Sequence, residues 1–225
     1  MYAVNLNLSD TLIQNAQTKG LTLQTYFDDN AVNPRKIEGN LGTLVGGGTV
    51  YCDVCYPNDI AVSPDINEAM TNFCRYHGLD MSRVVWMPIH FFRRAESSKS
   101  LGRLFGYHTK ADYLIDDIAY RCIKPQDWRI EDDLFGFIYA TYEQVFAEYN
   151  VKAMSDGVLA QTYEQLSREI KDFEKWSNGY VYGIQVSDKF GSLESQWGVY
   201  DYEMETIATD LVEQCNARKK NPCNA

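Results

Sequence analysis

The sequence lacks any apolar run approaching the roughly 18 residues that a membrane-spanning helix needs. Its first ten residues, MYAVNLNLSD, have neither a basic start nor an apolar block, which disfavours a secretory signal. Without such a signal, the six cysteines are best interpreted as reduced thiols. Internal repeats and low-complexity tracts are also missing. These absences predict a soluble globular protein that works in a cytoplasm, with no membrane partner.

Positive charge is scarce: 21 Lys and Arg stand against 31 Asp and Glu, for a formal net charge of -10. Residues 93–110 hold five Lys or Arg and one Glu, a contribution of +4, so the rest of the chain carries about -14. Contact with nucleic-acid phosphates requires a basic face, and this balance therefore disfavours direct nucleic-acid binding. It favours either a basic protein partner or simply a charge that keeps the protein in solution.

Strand and helix patterns are mixed along the chain. Apolar alternation predicts strands at 2–8, 21–27, 41–45, 49–54, 83–92, 134–140, 180–186 and 192–200. Helical spacing and capping residues predict helices at 9–20, 63–78, 141–150, 155–179 and 201–220. Short connections indicate hairpins, so the predicted class is α+β, a mainly antiparallel sheet with amphipathic helices packed on it.

Several local signals refine this prediction. The three glycines at 46–48 predict a hairpin turn between two strands. Ser63 is expected to cap the second helix, and Thr141 with Gln144 has the spacing of a capping box. The predicted regions are 1–92, a basic exposed loop or linker at 93–110, and 111–225, or one continuous domain.

Cys52, Cys55, Cys74 and His77 have the spacing of a four-ligand structural zinc site. Cys74 and His77 lie three residues apart on a predicted helix and can face one point. Cys52 and Cys55, however, lie three apart on a predicted strand and point to opposite faces. The pattern therefore favours buried cysteines over zinc, and no other cofactor is predicted.

A second candidate site is a loop rich in turn-forming residues. Asp28 and Asp29 precede Arg35 and Asn40, and this combination could bind a cation or a polar ligand. The favoured alternative is a loop pinned by an Arg–carboxylate pair and an Asn-capped turn. Gly42 is expected to reflect tight backbone geometry.

No catalytic set emerges. His90 and His108 could act as general acids or bases, with Asp116 and Asp117 nearby in sequence, but no nucleophile is paired with them. A histidine in an apolar strand is more often structural. The sequence therefore predicts no catalytic residue.

Two further groups are candidate binding residues. Arg93 and Arg94 open the basic segment, which is either an ordered contact or a flexible link. Glu194, Trp197 and Tyr200 lie along the C-terminal hairpin, where exposed aromatics would suit a partner interface. The alternative is that they form the core face of the hairpin, and this is the prediction for Trp197.

Three segments carry a resemblance: NPRKIEGNLGTLV, LFGFIYATYEQV, and WSNGYVYGIQV followed by ESQWGVYD. Together they resemble a family of uncharacterised bacteriophage and mobile-element proteins. Its members tend to carry a Pro-Arg…Asn-Leu-Gly-Thr segment, a Gly-Phe-Ile-Tyr strand and a Val-Tyr-Gly hairpin closed by Trp-Gly-x-Tyr. They often have an Asp-His or His-rich stretch after the central strand, whereas this chain has IHFFRR. The resemblance implies a small soluble phage protein of the host bacterial cytoplasm, and it implies no activity.

The combined expectation is a phage accessory protein rather than an enzyme. Its acidic surface would bind, and inhibit or redirect, a host or anti-phage defence protein with a basic surface. One alternative is a metal-assisted hydrolase acting on nucleotides or nucleic acid. The other is a virion component.

Overall fold

The computed structural model describes residues 8–46, 53–55, 65–94, 117–122, 124–127 and 134–220. Within them lie five helices: α1 (Asp10–Thr18), α2 (Ile66–His77), α3 (Tyr142–Tyr149), α4 (Asp156–Ser177) and α5 (Met204–Lys220). The same residues form strands β1 (Thr22–Phe27), β2 (Thr43–Gly46), β3 (Val54–Cys55), β4 (Val84–Arg94), β5 (Asp117–Cys122), β6 (Leu134–Thr141), β7 (Tyr182–Asp188) and β8 (Gly191–Val199). The predicted α+β class is confirmed. None of these described helices is long and apolar enough to cross a membrane.

The chain divides into two compact units. The terminal unit comprises Met1–Val32 and Lys175–Ala225, and the central unit comprises Asn33–Glu174. The predicted linker at 93–110 falls almost entirely outside the described residues, so the division predicted there stays a prediction. The predicted strand at 2–8 also lies largely outside them.

The terminal unit is built on a three-stranded antiparallel sheet in the order β1-β7-β8. Tyr182, Ile184 and Val186 alternate along β7 and point to one face, as the two-residue period of a strand requires. They share a buried cluster with Leu12 of α1 and Val212 of α5. The apolar sides of both helices therefore cover one face of the sheet.

The central unit contains a five-stranded sheet in the order β3-β2-β6-β4-β5. Val45 and Phe137 pack with Phe73 of α2. On the alternate positions, Ile138 of β6 lies beside Leu166 of α4. Strand alternation thus places α2 and α4 on opposite faces of this sheet.

Strand β4 lies inside this sheet, between β6 and β5, although it contains a proline. Pro88 has no N–H to donate, and a strand proline is expected beside an irregularity. The pairing of β4 with β6 shifts register between Ile89 and His90, directly after Pro88. Strand β4 is therefore an internal strand in which the proline lies beside a bulge.

The hairpin predicted at glycines 46–48 is wrong, because β3 pairs with β2 in parallel. The reason lies in Asp53, whose N–H donates to the carbonyl of Leu44 at 3.0 Å. The Asp53 carboxylate accepts from the Leu44 N–H at 2.7 Å. These two bonds hold Asp53 beside the start of β2, and the chain then runs in the same direction as β2.

The predicted Ser63 cap of α2 is also wrong. Asp65 has an extended backbone and its side chain accepts a hydrogen bond from the N–H of Asn67, which makes Asp65 the N-cap. The helix therefore begins at Ile66, and Gly78 ends it in the left-handed conformation, as expected.

Candidate functional site

Arg35 is the most completely engaged polar side chain of the predicted loop, and only 1% of it is exposed. Its Nε and Nη2 donate to Asp53 at 3.1 and 2.5 Å. Its Nη1 donates to Glu169 at 2.7 Å and to Asn40 at 3.0 Å. The second Nη2 bond goes to the carbonyl of Gly42 at 2.5 Å. A guanidinium has five N–H donors, and all five are used inside the protein.

Local sequence places the guanidinium. The Asn33 side chain accepts from the N–H of Arg35 at 2.9 Å, and Pro34 starts a short 3-10 turn. Asn40 donates from Nδ2 to the carbonyls of Pro34 and Ile37, both at 2.8 Å. The loop is therefore closed at both ends around Arg35.

Glu169 of α4 is the distant partner. Its carboxylate accepts from the N–H groups of Leu41 at 2.8 Å and Gly42 at 3.1 Å, besides Arg35. A Cβ at Gly42 would lie 2.5 Å from Leu166 and 2.7 Å from Ile138. Glycine is thus required for the loop to approach α4 so closely, as the sequence suggested.

The electrostatics of this network favour a permanent charge on Arg35. Burial by itself would lower the pKa of Arg35, but the hydrogen bonds to Asp53 and Glu169 more than offset it and the pKa is raised. A buried charge persists only when it is paired and hydrogen-bonded, as it is here. With no donor left for a ligand, the contacts of Arg35 and Asn40 are those of a pinned loop.

Asp28 and Asp29 do not take part in this network. Asp28 belongs to the terminal unit, where its carboxylate accepts from the N–H of Gly198 at 3.0 Å and of Asn30 at 3.1 Å. Asp29 is exposed. The structure supplies Asp53 and Glu169 as the acidic partners instead.

The predicted zinc ligands are only partly described. Cys74 is buried, and burial, with Asp80 nearby, raises the pKa of its thiol. His77 is exposed at the end of α2, with its ring 4.4 Å from that of Phe73. Cys52 and the side chain of Cys55 lie outside the described residues, within which no group of three or more His, Cys, Asp or Glu could hold a metal ion. The four-residue zinc site, which the sequence disfavours, is not tested as a set, and the favoured prediction of buried cysteines is met at Cys74.

Trp197 is not in the core, and that prediction is wrong. Its indole is 39% exposed and covers Gly183, on the face of the sheet opposite the buried side chains of β7. The Tyr26 ring stacks beside it at 6.2 Å. Gly183 explains the placement, because any Cβ there would meet the indole. Glu194, on the same strand, pairs with Arg218 of α5.

The remaining candidates can be placed only in part. Arg93 and Arg94 end β4, but nothing is described of their side chains, and His108 lies outside the described residues. His90 lies on β4 next to the register shift and is partly buried.

Sequence reasoning missed a cavity of about 470 Å³ in the central unit. Tyr163, Ser167 and Lys171 line it from α4, and these residues are four apart, which places them on one helical face. Met87 and Cys122 line it from the sheet. The four-residue spacing on α4 is visible in the sequence, but the packing of α4 against β4 and β5 is not.

Cys122 is the one thiol among the described residues that line this cavity. Burial raises the pKa of its thiol to about 12, although a hydrogen bond with Ser167 acts in the opposite direction. The thiolate is the reactive form of cysteine, and this thiol is protonated at neutral pH. The arrangement suits binding better than covalent chemistry.

Comparison with protein-family models, curated proteins and solved structures finds no match to the chain. The resemblance to phage and mobile-element proteins therefore stays a prediction.

Proposed function

We propose that this protein is a binding protein that docks onto a basic partner through the exposed acidic side of α5. The observation that carries the proposal is the charge of that helix: residues 204–217 contain three acidic residues and no Lys or Arg. Glu205, Asp210 and Glu213 are all exposed. We call these three residues the acidic face.

The acidic face is not neutralised by the basic end of the same helix. Arg218 pairs with Glu194 on β8. Lys219 lies 3.6 Å from Asp188 and donates to the carbonyl of Gly20 at 3.1 Å. Within the part of the chain that the structure describes, Asp210 and Glu213 have no ion-pair partner. Exposed, uncompensated charge of one sign accelerates encounter with an oppositely charged partner.

The resemblance suggests the setting for such a partner. A phage accessory protein made in a bacterial cytoplasm would meet host proteins and anti-phage defence proteins, and many of these present basic surfaces for nucleic acid. An acidic helix that occupies such a surface would inhibit or redirect its owner. This role requires no catalytic group.

The test is a paired capture experiment. The tagged full chain and its D210K/E213K variant are incubated with extracts of phage-infected bacteria, and bound proteins are compared by quantitative mass spectrometry. We expect the variant to capture at least tenfold less of one or more basic proteins than the unchanged protein does. A tenfold weaker affinity corresponds to a loss of about 1.4 kcal/mol of binding free energy. With the purified partner, affinity should fall as salt rises from 50 to 300 mM.

The matched control is E38K/E148K, which makes the same change in net charge at two exposed residues of the central unit. It should retain the partner. If both variants lose the same proteins, or if the affinity does not respond to salt, the acidic face is not the docking surface.

The two alternative functions remain hypotheses that the same preparations address. A hydrolase that uses a metal would contain near-stoichiometric metal by elemental analysis, and a chelator would lower its melting temperature. A virion component would be found by mass spectrometry of purified particles.

A further inference from the structure

The cavity between α4 and the sheet concentrates positive charge in a protein whose net charge is -10. Arg168 and Lys171 line it from α4, and Lys124 lines it from the segment that follows β5. The one carboxylate among the described lining residues is Glu164. The described part of the lining therefore has an excess of two positive charges.

These three cations are not neutralised by ion pairs among the described residues. In the described part of the chain, none of them is within ion-pair distance of a carboxylate. Like charges around one cavity repel each other, and the repulsion is relieved when an anion binds between them. Arg168 adds a planar guanidinium, which fits phosphate oxygens in a two-pronged geometry.

The remaining lining is suited to an uncharged group. Met87 is 2% exposed and forms part of the floor. The Ser167 hydroxyl lies 3.9 Å from the Met87 sulfur and can donate to a ligand oxygen. The Tyr163 ring stands at the wall, with the Lys124 ammonium 5.8 Å from its centre. An aromatic ring next to a cation gives a flat, phosphorylated molecule two contacts: the ring stacks on the flat part, and the cation pairs with the phosphate.

We propose that this cavity binds a small phosphorylated molecule of nucleotide size. Lys124, Arg168 and Lys171 hold the phosphate, and the flat part of the molecule lies against Tyr163 and Met87. The volume of about 470 Å³ falls within the range of about 300–1,000 Å³ usual for small-molecule pockets. The site is distinct from the acidic face and does not depend on it.

The test is isothermal titration of the full chain with ADP, inorganic phosphate and adenosine. We expect saturable ADP binding that weakens with salt, weaker binding of phosphate, and no binding of adenosine at the same concentration. R168A and K171A should each weaken ADP binding about tenfold, the usual effect of removing one charge-assisted contact. All three cations are exposed, so these variants should fold, and circular dichroism checks that they do.

The matched control is K152A, an exposed lysine of the same unit that does not line the cavity. It should change ADP affinity by less than twofold, as should D210K/E213K. The proposal is overturned if ADP does not bind saturably, if adenosine binds as well as ADP, or if K152A weakens binding as much as K171A. Phosphate binding as tight as that of ADP would overturn the placement of the flat group.

Discussion

Arg35 shows how a single residue can be singled out correctly from sequence while its partners are not. Asn40 lies six residues from Pro34 and five from Arg35, so their interaction is a local pattern. Glu169 is 134 residues away on α4, and Asp53 lies after a segment whose course depends on β2. The acidic pair nearest in sequence, Asp28 and Asp29, was therefore assigned in place of the pair nearest in space.

Glu169→Ala should destabilise the protein by about 3–5 kcal/mol, because it leaves Arg35 and two backbone N–H groups without a buried acceptor. Glu169→Gln should cost less, since an amide oxygen still accepts from the loop. Urea denaturation followed by tryptophan fluorescence measures both changes.

The control for this prediction is Glu164→Ala, an exposed position on the same helix, which should change stability by about 0.5 kcal/mol or less. Equal losses for Glu164→Ala and Glu169→Ala would mean that helix propensity, and not the buried network, sets the effect.

At the scale of elements, signals carried by neighbouring residues were predicted well and pairings between distant segments were not. Ser9 caps α1 and Gly20 follows its end with a positive φ of 67°, and these two residues are the ends of the helix predicted at 9–20. The prediction of a hairpin between β2 and β3 was wrong because glycines indicate a turn but do not indicate along which strand, or in which direction, the chain pairs next. The prediction that Trp197 lies in the core was wrong because the two-residue period of a strand shows that side chains alternate between two faces, but not which face is buried.

The capping box of α3 offers a test at this scale. The Thr141 hydroxyl accepts from the Gln144 N–H at 3.3 Å, and the Gln144 side chain accepts from the Thr141 N–H at 2.8 Å. Thr141→Ala should lower the free energy of unfolding by about 1 kcal/mol, whereas Thr141→Ser keeps the acceptor and most of the stability. Thermal denaturation of the two variants provides the comparison. A loss for Thr141→Ser as large as that for Thr141→Ala would show that the methyl group matters and the cap does not.

For the whole molecule, the sign of the net charge was predictable from composition, but the distribution of the charge over the surface was not. A net charge of -10 suggested an exterior that is mostly negative outside the basic segment at 93–110. Within the described residues, the exposed Asp210 and Glu213 of α5 have no ion-pair partner, and three cations line a cavity formed by α4, β4, β5 and the segment after β5. Lys124 and Lys171 come together only through tertiary contacts, so no sequence spacing could have revealed the cavity.

Each unit contains a buried group that should make stability fall at alkaline pH. Burial raises the pKa of Tyr182 in the terminal unit from 10.0 to about 12, and that of Cys122 in the central unit from 9.0 to about 12. Between pH 9 and 12 the folded state therefore holds protons that the unfolded state releases, and stability decreases as pH rises. Each group contributes a slope of at most about 1.4 kcal/mol per pH unit. Urea midpoints measured from pH 8 to 11 report the loss.

Cys122→Ala should reduce the loss of stability that begins near pH 9, where the thiol of the unfolded state ionises. Tyr182→Phe should reduce the loss that begins near pH 10, where the phenol of the unfolded state ionises. Tyr76→Phe removes the hydroxyl of a ring that is 70% exposed and serves as the control. A decline that none of the three substitutions alters would assign the alkaline sensitivity to other groups.

The close fit between Gly183 and Trp197 carries an evolutionary consequence. The indole lies where the Cβ of any side chain at position 183 would stand, so a substitution of Gly183 requires the indole to move or to be replaced. In descendants of this chain, an alanine or larger residue at 183 would either displace the indole or arise together with a smaller residue at 197, and both changes would disturb the stacking on Tyr26. Paired change at these two sites would be the genetic trace of an aromatic surface gained or lost.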